Sequence, residues 1–459
     1  MSRSLDGFKT STFLVLIGGY LILNYPFMQL RIPPVGFGVP LGELLLILIL
    51  LTTDVPRVLA RMNGVVLLLP FLIWWGWGSI RLVFDATSTG FWAFRDSTQL
   101  VESLFLIGGF ALAAEPRAVT RLTHWLRPIM VITCLYGLSF VYADAITAAS
   151  PTIPGASQQP IPIFGAYATT AVMLLWTAFY CMTLPTNQRP AIRMRYELVA
   201  AFLVAFTLLV IQARTTYLQL LSIAALLWLV RPRTLGRLAL ALPVLFFLLL
   251  VISAFDLRIS GRLTSEVSLD FFVDHILAIF GVGADGRSGV AEAASGVSLR
   301  LRWWTRLYEQ LTADPVVLIT GLGFGVPLTD FRDVLGTVTR EPHNSVISVT
   351  ARLGLIGGIA WIWMQVELFR AGFRAYRDCR RNGREEDARL VLLIIAFAVL
   401  ILASCFGEDT MEKPYNAIPY YAFWGFALRV AYRLRADATR GSFDYPAQQI
   451  TGFSHPRSL

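Results

Sequence analysis

The stretch TREPHNSVISVTARLGLIGG, residues 339–358, places Pro342, His343 and Asn344 at the opening of an apolar segment. Arg352 follows further in, and glycines at 354, 357 and 358 close the run. An arginine at the centre of a membrane helix costs roughly 2.5–3.5 kcal/mol on insertion scales, so these groups imply a cavity or a route to water. Arg352 lies about two and a half helical turns beyond His343 and therefore points away from it. On that geometry it lines a different cavity or snorkels to the surface.

Working outward, the rest of the chain gives this segment a membrane setting. Of 459 residues, 56% are hydrophobic and only 15% charged, with a mean hydropathy of +0.61. Soluble domains carry about 25% charged residues. Apolar stretches near 11–30, 36–53, 63–83, 98–114, 126–148, 160–183, 195–213, 215–231, 236–254, 343–369, 388–407 and 413–433 approach the roughly 20 residues that cross a bilayer core. The expected fold is an all-α polytopic membrane protein with about twelve transmembrane helices. The first stretch shows no small-residue cleavage pattern and reads as a retained helix.

The net charge of +9 follows topology rather than a nucleic-acid surface. With a cytoplasmic N-terminus, the even-numbered connections are cytoplasmic, and they hold most of the Lys and Arg, as in RAGFRAYRDCRRNGREEDAR, residues 370–389. The odd connections are poor in both; DAITAASPTIPGASQQP, residues 144–160, has neither. That is the positive-inside pattern, and it puts both termini of the multi-pass chain in the cytoplasm. Cys134, Cys181, Cys379 and Cys405 form no spacing motif, so neither a disulfide framework nor a metal site is expected from them.

Four regions follow: a nine-helix part over 1–254, a periplasmic loop over 255–342, three C-terminal helices over 343–433, and a polar cytoplasmic tail over 434–459 expected to be disordered. Within the loop, EVSLDFFVDHILAIF (266–280) has the apolar spacing of a helix lying on the membrane surface. GVGADGRSGVAEAASG (281–296) reads as flexible. SLRLRWWTRLYEQLTADP (298–315) reads as an amphipathic helix ended by Pro315, with Arg300, Trp304, Leu307 and Leu311 on one face.

Each candidate residue has a plain structural alternative. His343 is the natural general base near neutral pH, or a polar anchor at a helix end. Arg214, between two apolar runs, is a phosphate ligand facing a cavity or a snorkelling hairpin residue. Arg300, Arg302 and Arg306 are anion donors beside Trp303 and Trp304, or a solvated face; the planar guanidinium suits phosphate oxygens. Gly321, Gly323 and Gly325 form an anion-binding nest or a structural turn. No Lys-Ser/Thr follows them, so this is no nucleotide loop. Glu408, Asp409 and Glu412 serve acid/base chemistry or a divalent ion, with a solvated acidic turn the plainer expectation.

Together, residues 298–325 and 341–358 resemble the signature region of the O-antigen ligase superfamily. The resemblance is carried by Arg300, Trp304, Pro315, Gly321, Gly323, His343, Asn344, Gly354 and Gly357. Arg214, in an Ala-Arg pair opening the eighth helix, resembles the family's upstream arginine, and the long loop before the last three helices fits the same layout. The resemblance implies a GT-C-like, metal-independent, cofactor-free inverting glycosyltransferase working at the periplasmic face. Its donor would be a glycan on undecaprenyl diphosphate, and its acceptor a sugar hydroxyl of lipid A-core or of another glycan in lipopolysaccharide or exopolysaccharide synthesis. Arg214 and Arg300 would hold the diphosphate, with Arg302 an alternative to Arg300. His343 would take the acceptor proton or orient the acceptor, and Asn344, Trp304, Gly321 and Gly323 would support it. Ligase and polymerase share this signature. A lipid-linked glycan transporter is the rival of another class, but transporters tend to repeated halves, and a nine-plus-three layout favours the enzyme.

Overall fold

The computed structural model describes residues 2–33, 38–115, 117–152, 160–184, 189–255, 288–330 and 339–441. The expected surface helix at 266–280 and the tail beyond 441 lie outside these residues; residues 434–441, expected to be disordered, instead continue helix Pro414–Gly441. The described residues are mostly helical, and their strand content is one two-residue antiparallel pair, Arg31–Ile32 with Val39–Pro40. It is a multi-pass membrane protein. Among the described residues, five helices are long and apolar enough to cross a membrane: Ala118–Ala148, Pro190–Ile211, Pro232–Ala254, Ser345–Arg381 and Glu385–Ser404. Five shorter apolar helices accompany them: Gly7–Leu23, Leu41–Leu51, Thr98–Leu112, Tyr167–Met182 and Arg214–Val230. Helices Leu69–Thr89 and Pro414–Gly441 coincide with the remaining apolar stretches.

Burial explains the composition of the central helices. Glu385–Ser404 is apolar on all sides past Arg389, and 78% of its apolar window is buried. A helix apolar all round belongs inside a bundle. Trp176 of helix Tyr167–Met182 packs on Phe397 and donates from Nε1 to Leu393 O at 2.8 Å, spending its one polar group. Elsewhere, Gly109 and Gly425 let Phe105–Leu112 and Pro414–Gly441 touch backbone to backbone; a Cβ on Gly109 would meet Ala422 O at 2.3 Å. Small residues permit such close approach where lipid supplies no hydrophobic drive between helices.

Two expectations near the long loop are corrected. Residues 288–296, read as flexible, form the start of helix Ser288–Thr312; their Ala and Glu are good helix formers. Pro315 does not end that helix. It opens a new one, Pro315–Thr320, behind Asp314, whose side chain accepts from Val316 N at 2.8 Å. Proline at the first helical position loses no hydrogen bond because that N–H has no partner anyway.

The feature that positions the site is a break in Ser345–Arg381. Gly354 adopts φ 63°, ψ −165° inside it. The carbonyls freed by the break are satisfied from outside: Leu322 N donates to Ala351 O (2.7 Å), Gly323 N to Arg352 O (3.0 Å), and Trp77 Nε1 to Leu353 O (2.9 Å). Gly321 and Gly354 meet so closely that a Cβ on Gly321 would lie 2.3 Å from Arg352 O. In a membrane, every backbone polar group needs such a partner, and irregular backbone survives only when buried in protein or lining a cavity.

Candidate active site

Helix Ser288–Thr312 lies over the mouth of the broken helix. Its face of Leu307 and Leu311 packs with Leu328 and Ala351, which is the amphipathic face read from the sequence. Trp304 is half-buried and donates from Nε1 to Pro342 O at 2.9 Å. Trp303, buried, lies 6.0 Å from the His343 ring, centroid to centroid.

His343 sits in the left-handed region, φ 53°, a conformation that costs a residue with a side chain of order 1–3 kcal/mol and clusters at functional sites. It turns the chain sharply between Pro342 and Asn344. Asn344 then caps the helix, its Oδ1 accepting from Ile347 N (3.1 Å) and its Nδ2 donating to Phe406 O (3.2 Å). Ser345 N donates to Cys405 O at 3.0 Å. The mouth is thereby stitched to residues 405–413, which connect the last two long helices.

That connection carries the acidic residues, and it is not a solvated turn. Glu408 is buried and Asp409 and Glu412 are half-buried against the helix mouth. His343 Nδ1 lies 3.2 Å from Asp409 Oδ1 and 3.6 Å from Glu408 Oε2. Lys413 Nζ lies 2.9 Å from Asp409 Oδ1. Burial works against a charge on Asp409, but Lys413 and His343 outweigh it and hold the carboxyl well below the usual carboxylate range. An ionised carboxylate only accepts hydrogen bonds, so the proton of neutral His343 sits on Nδ1 and Nε2 keeps its lone pair. Lys413 is half-buried, and Asp409, Tyr415 and Glu408 raise its ammonium well above the usual value.

Arg300 joins the cluster: its Nη2 is 3.6 Å from Glu408 Oε1, an oxygen that also accepts from Tyr167 OH at 2.9 Å. Arg302 is exposed with no ion pair among the described residues, and Arg306 pairs with Asp330. Of the three arginines, only Arg300 faces His343's carboxylates. Arg214 opens helix Arg214–Val230 behind Gln212, itself at φ 50°. Its neighbour Thr215 crowds Gly407: a Cβ on Gly407 would meet Thr215 Cγ2 at 2.5 Å and Arg300 Nη1 at 4.0 Å. Gln219 Nε2 donates to Ser404 Oγ at 2.5 Å and pins this helix to the same corner. The start of the Arg214 helix, Arg300 and the 405–413 connection therefore converge.

His343, Glu408 and Asp409 present one ligand atom each within 4.8 Å of one another, a spacing a cation can use. Lys413 and Arg300 already supply positive charge to Asp409 and Glu408, so a metal would compete with two resident cations.

A second ionic cluster lies deeper. Arg352 neither snorkels nor lines a cavity. Fully buried, it bonds Glu341 Oε1 (2.5 Å), Asp96 Oδ2 (3.0 Å) and Val326 O (3.3 Å). Asp96 also takes Arg340 Nη2 (2.6 Å) and Gly325 N (3.1 Å). The glycine turn is no open anion nest, because its amides are spent on Asp85, Asp96 and the broken helix. Ser348 and Ser345 in the helix's first turn bond Glu341 (2.7 Å) and Glu412 (2.6 Å), linking the two clusters. Burial, then the charges of Glu341 and Asp409, push the Glu412 carboxyl up to about 8.

Sequence reasoning missed Asp96, Glu341, Tyr167 and Lys413. Only Lys413 had a local signal, four residues after Asp409.

A polytopic helical protein with a histidine–carboxylate–arginine site at the mouth of a broken helix is a membrane protein built around enclosed polar chemistry. Residues 199–362 match the family model described as O-antigen ligase, and this segment belongs to the O-antigen ligase superfamily. The match spans Arg214, Arg300, His343 and the break at Gly354, which supports a membrane enzyme of the ligase or polymerase type. No curated protein matches the chain.

Proposed function

We propose that the protein is a glycosyltransferase that moves a glycan from undecaprenyl diphosphate to a sugar hydroxyl of lipid A-core, at the periplasmic face of the bacterial inner membrane. The observation that carries this reading is the dyad His343–Asp409 beside Arg300, inside the segment that matches the ligase family. His343 Nε2 takes the acceptor hydroxyl's proton as its oxygen attacks the anomeric carbon, which inverts. The bond from that carbon to the diphosphate oxygen breaks, and its electron pair leaves with undecaprenyl diphosphate. Asp409 holds the Nδ1 proton and stabilises the imidazolium that forms. Arg300 and Arg214 neutralise charge growing on the leaving diphosphate. With Arg300 and Lys413 in place, the reaction runs without a metal.

The proposal includes twelve crossings in a GT-C-like layout, with both termini cytoplasmic. Its divisions are those at 254, 342 and 433. Polymerisation of repeat units is the second reading, since the same donor site serves it and the site's contacts favour neither acceptor. Purified protein is given an undecaprenyl-diphosphate-linked glycan with either lipid A-core or more of the donor as acceptor. Transfer to lipid A-core is expected; a ladder on the lipid-linked glycan makes it a polymerase. Transport of donor without transfer to either acceptor overturns the enzyme reading.

A further inference from the structure

At the far end of the bundle from His343, where the broken helix finishes at Arg381, lies a polar cavity of about 1050 Å³. Arginines from several elements line it, and three of them converge. Arg127 comes from helix Ala118–Leu138, Arg231 from the junction after Arg214–Val230, and Arg389 from Glu385–Ser404. Positive-inside topology explains why arginines collect at this end. It does not explain their convergence, which sets like charges against one another: Arg127 and Arg231 both repel Arg389.

None of the three is neutralised by a carboxylate among the described residues. The acids nearby are spent or unpaired with them. Arg193 and Arg237 share Glu197 at 2.9 Å each, Glu385 pairs with Arg380 at 3.7 Å, and Glu386 bonds none of the three. Arg389 stacks on the Tyr180 ring at 4.3 Å, and Arg231 Nη1 donates to Thr183 O at 3.1 Å. Even so, Arg389 Nε and Nη2 and Arg231 Nε are buried without a hydrogen-bond partner among the described residues. Buried guanidinium donors left unpaired are costly, and several forks converging from different helices match the oxygens of one tetrahedral anion.

We propose that this cavity binds a phosphate group between Arg127, Arg231 and Arg389. The group belongs either to an anionic phospholipid head or to a soluble phosphate, and both present the same oxygens. It is independent of the glycosyltransfer site, which lies at the other end of the broken helix.

The test uses the full chain in neutral, delipidated detergent and follows its thermal midpoint. One arm titrates inorganic phosphate against chloride at constant ionic strength. The other adds phosphatidylglycerol or phosphatidylcholine in mixed micelles. Wild type is expected to show a saturable rise with phosphate or phosphatidylglycerol and none with chloride or phosphatidylcholine. Arg389→Gln and Arg231→Gln each weaken the half-saturation at least about tenfold, while Arg57→Gln, in helix Val55–Asn63, does not. A response to inorganic phosphate names a soluble ligand; one confined to phosphatidylglycerol names a lipid head. No saturable response of wild type in either arm overturns the proposal, whether or not the variants fold. Equal responses in wild type and in folded Arg389→Gln also overturn it.

Discussion

Two ionic clusters flank the first two turns of the same helix, built from the same residue types, and they do different things. Around Arg352 and Asp96, the charges face one another in near-complete burial, their side chains 0% and 2% exposed. Around His343, the side chains of His343 and Arg300 remain 30% and 28% exposed. Asp96 accepts from two arginines and a backbone amide and has nothing left to offer a ligand. His343 has one nitrogen committed to a carboxylate and the other uncommitted among the described residues. Saturated donors and acceptors make a joint; an unsaturated one beside it makes a reagent. The joint sets the angle at which Glu341, Pro342 and His343 enter the helix.

The largest effect that would sharpen this contrast lies in the joint. Asp96→Ala strands Arg340 and Arg352 in the interior and should cost about 3–5 kcal/mol of stability, seen as loss of folded protein in detergent. Survival with an unchanged melting midpoint would break the distinction. On the other side, Asp409→Asn takes from His343 its nearer carboxylate and should lower transfer at least about a hundredfold with little change in melting.

Arg300→Gln and Arg302→Gln form a matched pair. The first should lower transfer by about 10²–10³ through loss of charge stabilisation at the diphosphate. The second, an exposed residue, should stay within about twofold. Equal losses would mean that the helix presents both arginines to the substrate.

A further effect is pH-dependent and sits between the clusters. Glu412 is raised to about 8 in the folded state, above the ordinary carboxyl value of roughly 4.3 when unfolded. The unfolded chain therefore gives up this proton at lower pH, and folding stability should fall as pH rises from about 4.5 to 8 and level off above that. Glu412→Gln should flatten the decline, and an unchanged slope would remove Glu412 as its source.

Much of this architecture was legible in order along the chain. The twelve apolar stretches all coincide with helices because bilayer length and apolar content act locally. Arg300, His343 and the glycines at 321, 323 and 354 stood out because each demands a local explanation. The solvated acidic turn was misread because the burial of Glu408 and Asp409 depends on His343, Tyr167 and Lys413, which no short window contains. Asp96 was invisible for the same reason: within its own segment it looks like a helix-end aspartate, and only the folded glycine turn brings Arg340 and Arg352 to it. Arg352 carried a true alarm with a wrong answer, since counting turns gave its direction but not its partners.

The central claim is that His343 is the base. Transfer from the lipid-linked donor by His343→Ala, measured alongside donor binding, tests it most directly. The account predicts binding within a few-fold of wild type and transfer lowered by about 10²–10⁴. Transfer that persists within a few-fold of wild type would contradict it.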